Sequence, residues 1–414
     1  PVVSVQMVYK VGARNEVTGK TGLAHFLEHM AFRATSAFPD TEVVSRIYAA
    51  GGEWHGYTWT DQTTYFATAP KTKLDLLLQI EAERMEHLEI DPAFIEAERG
   101  AVLAEMHMYE NYPSSMLVDA LMFTSFLAHP YRNNTIGWES DIDSVTHQDV
   151  VDFYETHYHP ANAVLAVVGD FDAAAVRERI EALFGGFRQR PATPVPHTIE
   201  PAQQGERRVV VRGTAPGKRF VIGYRAPSVN HPDFAAFLVM QGVLAGGSGV
   251  SFLQNDWGTP ARVSSLLYGG TDDVTTWYPP SAQDYIFMIG GSIHDLQAEQ
   301  DAEQAIETRI APLRELAPEP TRVKEAIEAV LDELVYDVQT TEDAAHQLAF
   351  FEGLDALDIL LTLPQQVARV TAGDVSRVAR TYLKPDQRTI AWYRPGVVAK
   401  DVNEAATDKP NIPP

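Results

Sequence analysis

The chain has 414 residues with 33 basic and 56 acidic side chains, a net charge of −23, so it lacks the basic footprint that nucleic-acid binding needs. It contains no cysteine, which excludes disulfides and thiolate metal sites. Hydrophobic residues make up 45%, a globular composition with length enough for two or more domains, and no apolar run approaches the roughly 18 residues of a membrane helix.

The first predicted element is a strand, Val2-Val3-Ser4-Val5-Gln6-Met7-Val8-Tyr9. It begins abruptly, as it would if a leader had been removed. Gly12, Gly19 and Gly22 mark a loop that leads into Gly22-Leu23-Ala24-His25-Phe26-Leu27-Glu28-His29-Met30. On a helix, positions i, i+3 and i+4 share a face, so His25, Glu28 and His29 point one way while Phe26, Leu27 and Met30 pack elsewhere. Two imidazoles one turn apart suit zinc, and a carboxylate beside them can take a proton from a metal-bound water. His-x-x-Glu-His is the inverted form of the commoner zinc-peptidase motif. The pattern also arises by chance, so a third ligand on another helix is what would decide it.

Asp40-Thr41 reads as a helix start and Gly51-Gly52 as its stop. Glu53-Trp54-His55-Gly56-Tyr57-Thr58-Trp59 and Thr63-Thr64-Tyr65-Phe66-Ala67-Thr68-Ala69, joined by Thr60-Asp61-Gln62, read as a hairpin. If one of its strands is a sheet edge, an extended peptide can pair with it. A helix over 73–88 follows, and Asp91-Pro92 opens another with an N-cap and a proline in the first turn. That helix carries Glu98 and Glu105, seven residues apart on one face with Val102 between them. A carboxylate on a core-facing stripe needs a partner. A metal ion would supply one; two solvated surface glutamates would explain the pattern as well.

Together, His25-x-x-Glu28-His29 and Glu98-Arg99-x-x-Val102-x-x-Glu105-Met106 resemble the pitrilysin/insulinase family of zinc peptidases. Gly51 to Thr58 followed by Asp61 to Phe66 resembles that family's substrate-binding hairpin. The length resembles the branch of mitochondrial processing peptidase and its bacterial relatives, and that branch implies the bacterial periplasm rather than the cytoplasm. The resemblance implies one zinc ion per chain, bound by His25, His29 and Glu105. It implies Glu28 as general base and Glu98 as a carboxylate supporting the site. It also implies that His55, Tyr57 and Thr58 contact substrate. The family usually has Asn where this chain has His55, which changes a substrate contact, and usually has one more strand before residue 1. His157 and His159 could grip a second metal, but they precede Pro160 at a helix end and read as structural. His87, His129 and His147 read as surface or capping residues.

A strand over 162–168 and a helix over 173–183 lead to the proline-rich stretch from Arg188 to Pro196, a semi-rigid linker. The expected division is a zinc-bearing domain over 1–186, a linker over 187–206, a second domain over 207–400 and a loosely ordered tail over 401–414. The second half reads as a diverged copy of the first. Val145-Thr146, Asp149-Val150, Thr156 and Pro160 recur at one offset as Val370-Thr371, Asp374-Val375, Thr381 and Pro385. The metal-helix sequence can be laid on Ala235-Ala236-Phe237-Leu238-Val239-Met240, where all three site residues are replaced by apolar ones.

The expected fold is therefore α+β: two homologous domains, each a mainly antiparallel sheet covered by helices, together forming half of a clamshell. The family's second copy offers an arginine and a tyrosine to substrate. Here those positions fall on Trp257 and Ser264, with Arg262 and Tyr268 nearby. The resemblance then implies the catalytic subunit of a heterodimer whose homologous partner carries the Arg/Tyr pair; the alternative is a homodimer that uses Arg262 and Tyr268 or works without the pair. The expected activity is endopeptidase cleavage of unstructured peptides; the alternative is a non-catalytic core subunit.

Overall fold

The computed structural model describes residues 1–39, 42–247, 249–250, 261–262, 271–293 and 298–396. Asp40-Thr41, Trp257, Ser264, Tyr268 and the tail over 401–414 lie outside the described residues.

The first sheet holds β1 (Val2–Tyr9), β2 (Glu53–Thr58), β3 (Thr63–Pro70) and β4 (Ala163–Gly169) in the order β2-β3-β1-β4, all antiparallel. β2 is an edge, as the hairpin reading allows. Side chains alternate along β1. Val3, Val5, Met7 and Tyr9 enter the cores formed with helices α1 (Leu23–Met30), α2 (Glu42–Ala49) and α3 (Leu74–Glu86). Helix α4 (Pro92–Tyr109) packs on α1; its Asp91 cap accepts from the Ala93 N–H at 2.7 Å, and Pro92 occupies the first turn. Helices α5 (Pro113–Ser125), α6 (Glu139–Ser144), α7 (His147–His157) and α8 (Ala173–Phe184) complete the first half.

Residues 188–206 carry no regular structure. The second sheet holds β5 (Arg207–Gly213), β6 (Lys218–Ala226), β7 (Ala261–Arg262), β8 (Thr271–Trp277), β9 (Tyr285–Ile293) and β10 (Thr389–Pro395), in the order β5-β10-β6-β9-β8-β7. Only the β5–β10 pair is parallel among these described strands. The order β4-β1-β3-β2 thus recurs as β10-β6-β9-β8. Helices α9 (Phe234–Ala245), α10 (Glu299–Glu315), α11 (Pro320–Tyr336), α12 (Thr341–Gly353), α13 (Leu357–Val367) and α14 (Ala372–Tyr382) follow the same plan. Equivalent capping boxes start α7 (Thr146 with Asp149) and α14 (Thr371 with Asp374). In α9, counterpart of α1, Ala236, Val239 and Met240 are buried in the second core.

The two halves exchange a helix. α5, from the first half, packs on β5, β6 and β10 and puts Leu117, Leu121 and Met122 into the second core. α12, from the second half, packs on β1 and β4. It meets the polar side of β1, where Ser4 donates to the Thr341 hydroxyl at 2.9 Å and Gln6 bonds His346 at 2.9 Å. Both faces of β1 are buried as a result. No helix among the described residues is long and apolar enough to cross a membrane.

Candidate metal centre

Helix α1 is only eight residues long, and it buries Leu23, Phe26, Leu27 and Met30 while presenting its polar face to α4. On α4, Val102 is fully buried in the same core, which brings Glu98 and Glu105 on either side of it against α1. Oε2 of Glu105 lies 3.5 Å from His25 Nε2 and 3.4 Å from His29 Nε2. These three ligand atoms lie within 4.8 Å of one another. Two imidazole nitrogens and one carboxylate oxygen, from two rigid helices, match the donor set of a catalytic zinc site that keeps a position open. The residues present fit the metal.

Glu98 stands behind the ligands. Its Oε2 lies 2.8 Å from His29 Nδ1, so Nδ1–H donates to Glu98 and Nε2 is turned toward Glu105 and the site. Its Oε1 accepts from Arg33 Nε at 2.5 Å. Arg33 is not singled out by the motif, although it sits one turn beyond His29, and extending the helix face by four residues would have found it. Glu28 is buried beside the cluster, and its Oε2 accepts a hydrogen bond from Thr58 Oγ1 at 2.8 Å.

The electrostatics follow from burial and from these carboxylates. Burial, then the neighbouring His29, pushes His25 down to about 4. Burial also works against charge on His29, but Glu105 and Glu98 outweigh it and raise His29 to about 9. Burial lifts Glu28 to about 7 against the pull of Thr58. Glu105 is lowered, first by its hydrogen bond with His29. Without metal, the site holds its proton on His29.

The hairpin forms one wall. Trp54, Gly56 and Thr58 of β2 face α1: Trp54 packs on Phe32, Gly56 leaves room for the Phe32 ring, and Thr58 reaches Glu28. His55 and Tyr57 point to the other side, where His55 stacks on Phe66 and the Tyr57 hydroxyl lies 3.4 Å from His346 Nε2. A cleft of about 740 Å³ opens beside Glu28 and His29, bordered by Phe32, Tyr48, Trp54 and the edge of β2 at His55. Arg262 lies in β7, at the far edge of the second sheet. His157 and His159 are both buried, and they are not among the metal-ligating clusters of the described residues. His129 caps a short turn through the Tyr131 N–H.

The profile of the insulinase family (peptidase family M16) matches residues 1–138, and that of the peptidase M16 inactive domain matches residues 144–330. The chain belongs to peptidase family M16. Zinc protease PqqE of Helicobacter pylori is 29% identical over 409 residues, covering 95% of this chain and 88% of that protein. The probable mitochondrial-processing peptidase subunit beta of Arabidopsis thaliana is 28% identical over 235 residues, 56% of this chain and 44% of the relative. The crystal structure of a protease from Helicobacter pylori superposes with a TM-score of 0.88 at 26% identity, over 95% of this chain and 94% of that one. The M16 fold therefore spans both halves, and a relative named as a zinc protease matches nearly the whole length.

Proposed function

We propose that this M16 chain is a zinc-dependent endopeptidase for unstructured peptides and the catalytic subunit of a dimer. One observation carries the proposal: the Glu28 carboxylate is buried on the same helix face as His25 and His29, beside the point where they converge with Glu105. Zinc bound there supplies a Lewis acid that polarises the scissile carbonyl and eases removal of a proton from water.

The chain's own residues do the rest. Thr58 holds one oxygen of Glu28, leaving the other to take the proton of the attacking water and pass it to the leaving amine. In the metal-free site burial raises this carboxyl to about 7; a cation bound beside it would lower that value and leave Glu28 ionised to accept the proton. Glu98 fixes the His29 tautomer. The outer edge of β2 offers backbone N–H and C=O groups for antiparallel addition of an extended substrate. Only an unfolded segment can lie along that edge, so stably folded proteins are poor substrates.

Relatives named as a beta subunit support reading the chain as one of two. The test is turnover of a quenched-fluorescent peptide pool by the zinc-loaded chain beside Glu28→Gln. The variant should keep zinc and cut nothing; normal hydrolysis by it rules out the role of Glu28. If the wild-type chain binds zinc yet cuts only after mixing with a homologous chain bearing an Arg/Tyr pair, the enzyme is a heterodimer. Turnover by the chain alone assigns completion of the site to Arg262 and Tyr268 or to a homodimer. A non-catalytic core subunit would bind no zinc and cut nothing.

A further inference from the structure

The metal helix is clamped from outside at both ends. An isolated eight-residue helix is unstable in water, because nucleation costs more than so few backbone bonds return. The positions of His25, Glu28 and His29 therefore depend on what holds α1. At its N-terminus, Gly22 adopts φ +83° and has no capping side chain of its own. A Cβ there would stand 2.5 Å from the Ile136 carbonyl oxygen. The cap comes from Glu16. One of its oxygens accepts the Gly22 N–H and the other the Ala24 N–H, both at 2.8 Å, and the side chain is buried. At the C-terminus, buried Arg84 donates from Nε to the Ala31 carbonyl at 3.2 Å while pairing with Glu81 and lying 4.2 Å from the Tyr65 ring centroid. The Glu16 carboxyl, raised to about 8 by burial against the pull of the Ala24 and Gly22 N–H groups, thus sits at the N-terminal end of α1 and caps it by hydrogen bonding, while a guanidinium at the other end complements the negative pole of the helix dipole.

Glu16 is itself anchored. Two residues earlier, Arg14 reaches the opposite way to fully buried Asp61 at 3.1 Å. Asp61 also accepts from the Tyr131 hydroxyl at 2.7 Å and from the Ala282 N–H of the second half at 3.0 Å. The backbone between them is tied to the hairpin turn, with the Ala13 N–H on the Trp59 carbonyl at 3.1 Å and the Arg14 N–H on the Thr60 carbonyl at 3.0 Å. The segment from Ala13 to Glu16 is a brace with the hairpin and the second half at one end and the metal helix at the other.

We propose that Glu16 is a positioning residue for the metal centre: it sets the first turn of α1, and with it His25, against Glu105 and the hairpin. This rests on the metallopeptidase reading for its effect on turnover, but not for its effect on the helix. Glu16→Gln keeps the shape and loses one of the two acceptors, since an amide nitrogen cannot accept. Glu16→Asp, one methylene shorter, is the second variant should Glu16→Gln fail to fold.

Three quantities are measured on the full chain. In the zinc-free protein, amide hydrogen exchange over residues 22–30 should quicken by about tenfold or more, with α4 and the second sheet unchanged. Zinc affinity by chelator competition should weaken by about tenfold to a hundredfold, the range seen when a partner behind a ligand is lost. At saturating zinc, kcat should fall while KM stays within about twofold, because a shifted α1 misplaces Glu28 and the metal-binding histidines for the chemical step without altering the β2 edge that would hold substrate. A cap that merely adds stability would lower the melting temperature and leave zinc affinity and kcat at wild-type values; that outcome overturns the proposal, as does unchanged exchange over 22–30. If the wild-type chain binds no zinc, the metallopeptidase reading fails, and the exchange measurement still decides the clamp.

Discussion

Thr58 Oγ1 donates to Glu28 Oε2 across 2.8 Å, so the last residue of the hairpin's edge strand holds the carboxyl group that stands beside His25, His29 and Glu105. The sequence resemblance casts Thr58 as a substrate contact. Its hydrogen bond also lets it support Glu28, and the two roles differ in kinetics. A hydrogen bond to a charged group contributes about 1.5–3 kcal/mol, so Thr58→Val should lower kcat by about tenfold to a hundredfold with KM and zinc content unchanged. Thr58→Ser, which keeps the hydroxyl, should restore most of it. A rise in KM at constant kcat would show that Thr58 serves the substrate instead.

Glu98 does two jobs at once, accepting the His29 Nδ1–H and pairing with Arg33. Glu98→Ala frees the His29 ring to rotate and strips Arg33 of that carboxylate. Zinc affinity should drop by about tenfold to a hundredfold, as read by competition with a chelator of known affinity. Wild-type affinity in a folded Glu98→Ala protein would mean that α1 alone orients the ring.

Zinc binding should release a proton. In the metal-free site His29 is raised to about 9, because Glu105 and Glu98 outweigh its burial. The metal needs the neutral ring, so below about pH 9 it must displace that proton, and apparent affinity should fall about tenfold per pH unit. Calorimetry at pH 7 in two buffers of different ionisation enthalpy gives the count: one proton per zinc from His29 and a further fraction from Glu28, which is raised to about 7 before binding, are expected, and none would place His29 in its neutral form before binding.

Acid should weaken the contact between the halves through His346. This residue of α12 is buried, bonds Gln6 of β1 and lies near Tyr57 of β2. Burial lowers its pKa from 6.5 to about 3. Below pH 6.5 the unfolded chain therefore takes up a proton that the folded chain refuses, so the contribution is intact above pH 6.5 and is lost progressively as pH falls toward 3. His346→Gln removes the titrating ring, and its urea midpoint should decline less than that of the wild type between pH 7 and pH 5. Parallel declines would exclude His346 as a source of acid sensitivity.

The sequence by itself determined the elements whose logic is local. His25, Glu28 and His29 share a face because a helix repeats every 3.6 residues, and Glu98 and Glu105 share one for the same reason. The hairpin of β2 and β3 and the paired capping boxes at Thr146 and Thr371 follow from contacts within a few residues. What touches those faces was decided only by tertiary structure. Ser4 and Gln6 alternate with Val3, Val5 and Met7, and it is α12 from the far end of the chain that covers the polar side, a partner that alternation alone does not name. The same holds for α5 in the second core, for Glu16 and Arg84 at the ends of α1, and for Thr58 on Glu28. A periodic pattern fixes which side of an element is turned inward. The partner it meets there is chosen by packing between segments distant along the chain, and spacing carries no record of that choice.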